Sequence, residues 1–111
     1  MIPGIPQADS QQLLELIRSH PHVEKVVLYG SRALGRQRAG SDIDLCLEAP
    51  SMELGELLEL GEELDDLLLP WQIDLQLRHL IAHEGLLANI ERAGQLLWER
   101  PTKPTAPQQT L

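Results

Sequence analysis

Two short segments of this chain repeat with a period of two. In one, Asp42, Asp44 and Cys46 alternate with Ile43, Leu45 and Leu47; in the other, Gln72, Asp74 and Gln76 alternate with Ile73, Leu75 and Leu77. Successive side chains of a strand point to opposite faces, so each segment reads as a half-buried strand with its polar residues turned from the core. Asp42 and Asp44 then leave one side of one strand, with Cα atoms roughly 6.5–7 Å apart. Asp74 has the same phase on its own strand. If the two strands are neighbours, three carboxylates meet on one face of a sheet.

Such a cluster is electrostatically costly unless a cation sits within it. Hard oxygen ligands with room for water and phosphate oxygens suit Mg2+. A site of this kind can hold two ions that bind a triphosphate and activate an attacking hydroxyl. Asp42, Asp44 and Asp74 are therefore candidate metal ligands and catalytic residues. A second segment points to a phosphate substrate. Val23–Tyr29 is rich in β-branched residues and reads as a strand that stops at Gly30. A glycine at a strand end lets phosphate oxygens approach the backbone, and Ser31 adds a hydroxyl donor. Arg32, Arg36 and Arg38 follow, and they can neutralise charge on a leaving pyrophosphate. Arg32, next to Ser31, is the first of the three for a phosphate contact; Arg36 and Arg38 are equally readable as loop residues.

Charge narrows the substrate further. The formal net charge is −8, whereas a domain that grips a nucleic-acid backbone is normally basic. Seven acids and no basic residue lie between Glu53 and Asp66, while three of the nine Lys and Arg residues fall between Gly30 and Gly40. An acidic chain with a local arginine cluster points to a pocket for one polyanion, not to an extended nucleic-acid groove.

The rest of the chain frames one domain. Its 111 residues suffice for a single core, and with no Phe that core is built from Leu, Ile and Val. Residues 1–9 form a loose lead-in, and residues 10–100 the folded domain. Asp9 caps a helix over about 10–19, with Gln12 completing a capping box. Residues 30–40 are a loop with a short helical turn at 31–34. Pro50-Ser51 opens a helix to about Leu69, with Leu54, Leu57, Leu58, Leu64 and Leu68 on its apolar stripe. A helix over 83–93 turns Leu86, Leu87 and Ile90 inward, and Gln95–Glu99 is a short last strand. Residues 101–111 are Pro-rich, polar and expected to be disordered. No apolar run approaches a membrane span, the N-terminus lacks the features of a signal peptide, and the lone Cys46 forms no internal disulfide. A reducing cytoplasm is the expected location.

Other residues have plainer readings. His79 and His83 have the i, i+4 spacing of a metal pair but no third ligand nearby. His20 and His22 flank Pro21 in a turn and read as surface histidines. Cys46 reads as a small packing residue. Trp71 and Trp98 read as core anchors or interface residues, and the Glu53–Asp66 acids as a solvated helix face.

Gly30-Ser31, ten intervening residues, then Asp42-Ile43-Asp44 together resemble the signature of the minimal nucleotidyltransferases (MNT) of the DNA polymerase β superfamily. The strings Gly30-Ser31-Arg32-Ala33-Leu34-Gly35 and Ser41-Asp42-Ile43-Asp44-Leu45 are similar to that family, and Pro70–Leu75 looks like its third-carboxylate strand. The resemblance implies an α/β fold of the polymerase β type, a small mixed sheet with helices packed on one face. It implies transfer of AMP from ATP to a hydroxyl acceptor, with Asp42 and Asp44 binding Mg2+ and Asp74 helping to activate the acceptor. Small stand-alone members commonly pair with a HEPN-domain protein and act as antitoxins that attach AMP to a tyrosine of the HEPN toxin. Two alternatives stand beside this reading: a small-molecule acceptor, and a catalytically silent antitoxin that acts by binding alone.

Overall fold

The segments read as strands pair into one sheet. A computed structural model of the protein describes residues 2–102. Along the chain run α1 (Gln7–Arg18), β1 (Lys25–Tyr29), β2 (Ile43–Glu48), α2 (Leu54–Asp65), β3 (Ile73–Leu77), a 3-10 turn (Arg78–Leu80), α3 (Glu84–Ala93) and β4 (Gln95–Glu99). The sheet order is β3-β2-β1-β4. β1 pairs antiparallel with β2 and β4, and β2 pairs parallel with β3. A parallel neighbour requires a crossover, and α2 supplies it. The expected mixed α/β architecture is the one observed.

Alternation decides which face is buried. Val26, Leu28, Ile43, Leu45, Leu47 and Leu77 form one core with Leu13 and Ile17 of α1 and Leu60 and Leu64 of α2. The other face carries Val27, Tyr29, Asp44, Cys46, Asp74 and Gln76. α3 does not join α1 and α2. It lies against this second face, where buried Ile90 shares a hollow with Val27 and Cys46. Gly94 closes the contact: a Cβ there would stand 2.7 Å from Val27 Cγ1. The end of the second face that carries Asp44 and Asp74 stays open.

Several boundaries differ from the sequence reading. The lead-in is packed: Ile2 and Ile5 belong to the core. A turn at Pro3-Gly4, with Gly4 at φ +78°, folds them inward. α1 consequently starts at Gln7 behind Pro6, whose fixed φ suits a helix start. Asp9 sits in the first turn, where it complements the helix dipole, and no side chain caps the helix N-terminus. α2 starts at Leu54 because Ala49–Met52 forms a turn that buries Met52. It ends at Asp65, since Leu68 takes φ +57° and the residue before Pro70 is biased from helix. Its buried stripe is Leu57, Leu60 and Leu64, while Leu54, Leu58 and Leu68 are exposed. On α3, Ile90 is buried and Leu86 and Leu87 are half-buried. Most of the expected disordered tail, from residue 103, lies outside the described residues. Among the described residues no helix is long and apolar enough to cross a membrane.

Candidate active site

Strand register assembles the site. Asp44 pairs with Tyr29 on β1 and with Asp74 on β3. Residues at paired positions share a face, so Tyr29, Asp44 and Asp74 form one row across the open end of the sheet. Asp42, two residues before Asp44 and exposed, extends the row outward. Asp44 and Asp74 are thus direct neighbours, and the charge of Asp42 also reaches Asp44. Tyr29 was not anticipated. Its signal was its phase, since it is the last residue before Gly30 and lies opposite Asp44 once β1 and β2 pair.

Gly30 ends β1 at φ +78°, a conformation that favours glycine. It is also in direct contact with the row: a Cβ built on it would stand 2.3 Å from Asp44 Oδ2. The backbone then makes one helical turn. Leu34 N–H donates to Gly30 O at 3.2 Å and Arg36 N–H to Ser31 O at 2.8 Å. The Gln95 amide holds this turn from β4, donating to Ala33 O at 2.8 Å. Trp71 pins the far side of the loop, its indole N–H donating to Ala39 O at 3.2 Å. The expected glycine–serine turn therefore stands beside the carboxylate row, on its β1 side.

Arg32 is the exception among the expected site residues. Its side chain is turned inward and is only 1% exposed. One guanidinium nitrogen donates to Pro3 O at 2.7 Å and the other to Ser41 O at 2.7 Å. It ties the N-terminal segment to the loop that leads into β2. Gly4 makes room for it, since a Cβ would stand 2.9 Å from Arg32 Nη1. Its positive charge is still felt in the row, where it favours ionised Asp44. Arg36 and Arg38 are exposed on the loop.

The row is short of positive charge. Partial burial raises the Asp44 pKa, the charges of Asp74 and Asp42 raise it further, and Arg32 opposes them. Tyr29 is pushed up to about 12, by burial first and then by Asp44, Asp74 and Cys46. It remains a neutral hydroxyl donor beside the carboxylates. Among the described residues, none of Asp42, Asp44 and Asp74 is in an ion pair. Nor do any three His, Cys, Asp or Glu side chains there gather closely enough to enclose an ion. The row is an open edge, not a cage. That fits Mg2+, which keeps water and phosphate oxygens in its coordination sphere and takes only one or two carboxylates from the protein.

The histidines read as surface residues of a turn have defined partners away from this row. His20 places Nδ1 3.1 Å from Glu56 and Nε2 2.7 Å from Glu63, and His22 places Nδ1 2.8 Å from Glu56. His83 accepts the Leu86 N–H at the start of α3. These residues build the frame.

Residues 11–103 match the family described as polymerase beta nucleotidyltransferase. No curated protein matches the chain. Among solved structures, the chain is similar to one described as a toxin–antitoxin with AMP-PNP, with 26% identity, TM-score 0.68, and 81% of this chain and 73% of that chain covered. A mutant MntA–HpeT toxin–antitoxin is 26% identical with TM-score 0.67, covering 82% of this chain and 72% of that one. A complex of a tri-AMPylated Shewanella oneidensis HEPN toxin with its MNT antitoxin shares the fold, at 23% identity and TM-score 0.61, covering 85% of this chain and 72% of that one. With the carboxylate row and the glycine–serine turn in place, the chain belongs to the polymerase β nucleotidyltransferase family and is a nucleotidyltransferase.

Proposed function

We propose that the chain transfers AMP from ATP, with Mg2+, to a tyrosine hydroxyl of a partner HEPN-domain protein, and thereby acts as an antitoxin. The observation that carries the chemistry is the single row of Asp44 and Asp74, flanked by Asp42 and closed on the β1 side by Gly30. The partner rests on likeness to structures described as toxin–antitoxin complexes, one of them holding AMP-PNP.

The residues divide the work by position. Gly30 and Ser31 lie on the β1 side, and they receive the β- and γ-phosphates against backbone and hydroxyl. Asp42 and Asp44 would hold Mg2+, which would offset the charge deficit of the row. When bound, Mg2+ supplies charge neutralisation for the triphosphate and the departing pyrophosphate. Asp74, exposed on β3, faces the incoming hydroxyl and takes its proton. The acceptor oxygen bonds to the α-phosphorus as the bond to the bridging oxygen breaks, and pyrophosphate leaves on the opposite side. Tyr29 stands opposite Asp44 in the row as a neutral phenol. Arg32 keeps the loop in place behind it.

The open edge has a consequence for the acceptor. No element of the described chain covers Asp74, so the second substrate's surroundings must come with the substrate. A protein acceptor brings its own. Co-expression with a HEPN partner, followed by intact-mass spectrometry of both chains, tests the proposal. Adenylyl groups on the partner that depend on Asp44 are expected. Efficient AMP transfer to a small molecule by the chain alone, with no mass added to the partner, would favour the small-molecule alternative. Tight complex formation with no transfer under Mg2+ and ATP would favour the binding-only antitoxin.

A further inference from the structure

The second face is arranged in tiers. Its first is the row of Tyr29, Asp44 and Asp74. One step down the strands, the second tier is Val27, Cys46 and Gln76, paired in the same register. Beside this tier lies a hollow of about 350 Å3, bounded by Ile90, Gly94 and Leu96. A cavity of about 670 Å3 lies between α2 and β3 on the opposite face, away from the carboxylate row.

We infer that the second-tier hollow holds the nucleoside of the bound triphosphate, with the base against Val27 and Cys46 and under Ile90. The inference rests on the proposed function. In-line displacement puts entering and leaving oxygens on opposite sides of the α-phosphorus. The leaving side is β1, where the glycine–serine turn stands, and the entering side is β3, where Asp74 is exposed. Those directions run across the strands. The nucleoside must therefore run along them, and the hollow lies in that direction. From Asp44 to Cys46 the strand advances roughly 6.5–7 Å, a span suited to the reach from α-phosphorus through ribose to base.

The chemistry of the hollow favours a neutral ring over a phosphate. Its lining joins Val27, Cys46, Ile90 and Leu96 with the charged Lys25, Glu48, Arg78 and Glu91, so a phosphate placed there would meet two carboxylates. The cations at its rim are already paired, Arg78 with Glu91 and Lys25 with Glu99. The Cys46 thiol is 1% exposed, and burial pushes its pKa up to about 11, so it stays an uncharged contact. The volume is within the range of small-ligand sites, which are mostly apolar with few polar groups.

The test separates base from phosphates. Calorimetry on the full chain with Mg2+ compares AMP-PNP with inorganic tripolyphosphate, in wild type and Ile90→Trp. Filling the hollow should weaken AMP-PNP by about tenfold or more and leave tripolyphosphate within about twofold. Photolabelling the wild type with 8-azido-ATP and Mg2+ should mark peptides carrying Val27, Cys46 or α3. This second measurement decides the matter if Ile90→Trp does not fold. Unchanged AMP-PNP affinity in folded Ile90→Trp, equal weakening of both ligands, or label confined to other peptides would overturn the inference. Wild type binding neither ligand would overturn the proposed function with it. Wild type binding tripolyphosphate as tightly as AMP-PNP would overturn the inference alone.

Discussion

Carboxylates gather in two places in this molecule, and they are treated in opposite ways. Between α1 and α2, Glu56 and Glu63 meet His20 and His22, and every close contact is carboxylate to imidazole. At the end of the sheet, Asp42, Asp44 and Asp74 meet one another, a tyrosine hydroxyl and a glycine. The first group is answered from within the chain, and its Glu56 carboxyl is held below its usual range by His22 and His20. The second is not answered, and Asp44 is held above its usual range. Acids that hold the fold together carry their own cations. On the proposed function, the acids at the sheet end leave their cation to come from outside.

The sharpest way to break this comparison is at Asp44. Asp44→Asn should lower AMP transfer by at least about a hundredfold, or about 2.7 kcal/mol in the barrier. It should not lower the melting temperature, because a raised carboxyl pKa means that ionised Asp44 costs stability above its ordinary titration range. Transfer at the wild-type rate in a folded Asp44→Asn protein would remove Asp44 from the site. Asp74→Asn should differ by keeping nucleotide affinity while losing turnover, which calorimetry with AMP-PNP resolves.

Next in size is the buried cation behind the row. Arg32→Met removes two hydrogen bonds from a charged donor to part-buried carbonyls of separate segments. A loss of about 3 kcal/mol is expected from chemical denaturation. An unchanged unfolding midpoint, with weakened triphosphate binding, would return Arg32 to the phosphates. Gly30→Ala should cost about 1–2 kcal/mol for the left-handed backbone alone. It should also disturb binding, since its Cβ collides with the Asp44 carboxylate. Loss of binding with full stability would mean that the turn tolerates a side chain.

The smallest effect sharpens the other half of the comparison. The His20 pKa is raised; burial works against this, but hydrogen bonds and charges of Glu63 and Glu56 outweigh it. For a base, a raised folded pKa adds stability that is full below the unfolded value near 6.5 and is lost as pH rises through the folded value. Glu56 works oppositely, its contribution being lost as pH falls through its lowered pKa. Melting temperature should therefore fall as pH rises from about 6 to 8, and less so in His20→Gln. The difference between the two proteins should be small, since the pair is partly exposed, and should be seen at acid pH and fade as pH rises. Identical pH profiles would mean that the cluster is not charged as drawn.

Much of the site was legible because strand phase is a local property. Asp42, Asp44 and Asp74 declare their face through their immediate neighbours, and Gly30 through its place at a strand end. What stayed hidden depends on distant partners. Arg32 reads as a phosphate ligand next to Ser31, yet its partners are carbonyls 29 and 9 residues away. His20 and His22 read as a polar turn, and their glutamates lie 34 to 43 residues on. In α2, leucines fall on nearly every face, so the sequence admits more than one buried stripe; packing against α1 and β3 selects Leu57, Leu60 and Leu64. Arg100 is a similar case: it caps the end of α1 through Arg18 O and His20 O from the far end of the sheet.

On the proposed function the sheet-end carboxylates await a cation brought with a triphosphate. Melting curves with Mg2+ and AMP-PNP, alone and together, test it most directly. Together, at about a hundred times the dissociation constant, they should stabilise the wild type by about 2.7 kcal/mol. Each alone should do far less, and Asp44→Asn should lose the joint effect. Equal joint stabilisation of wild type and Asp44→Asn, or none in the wild type, would contradict the account.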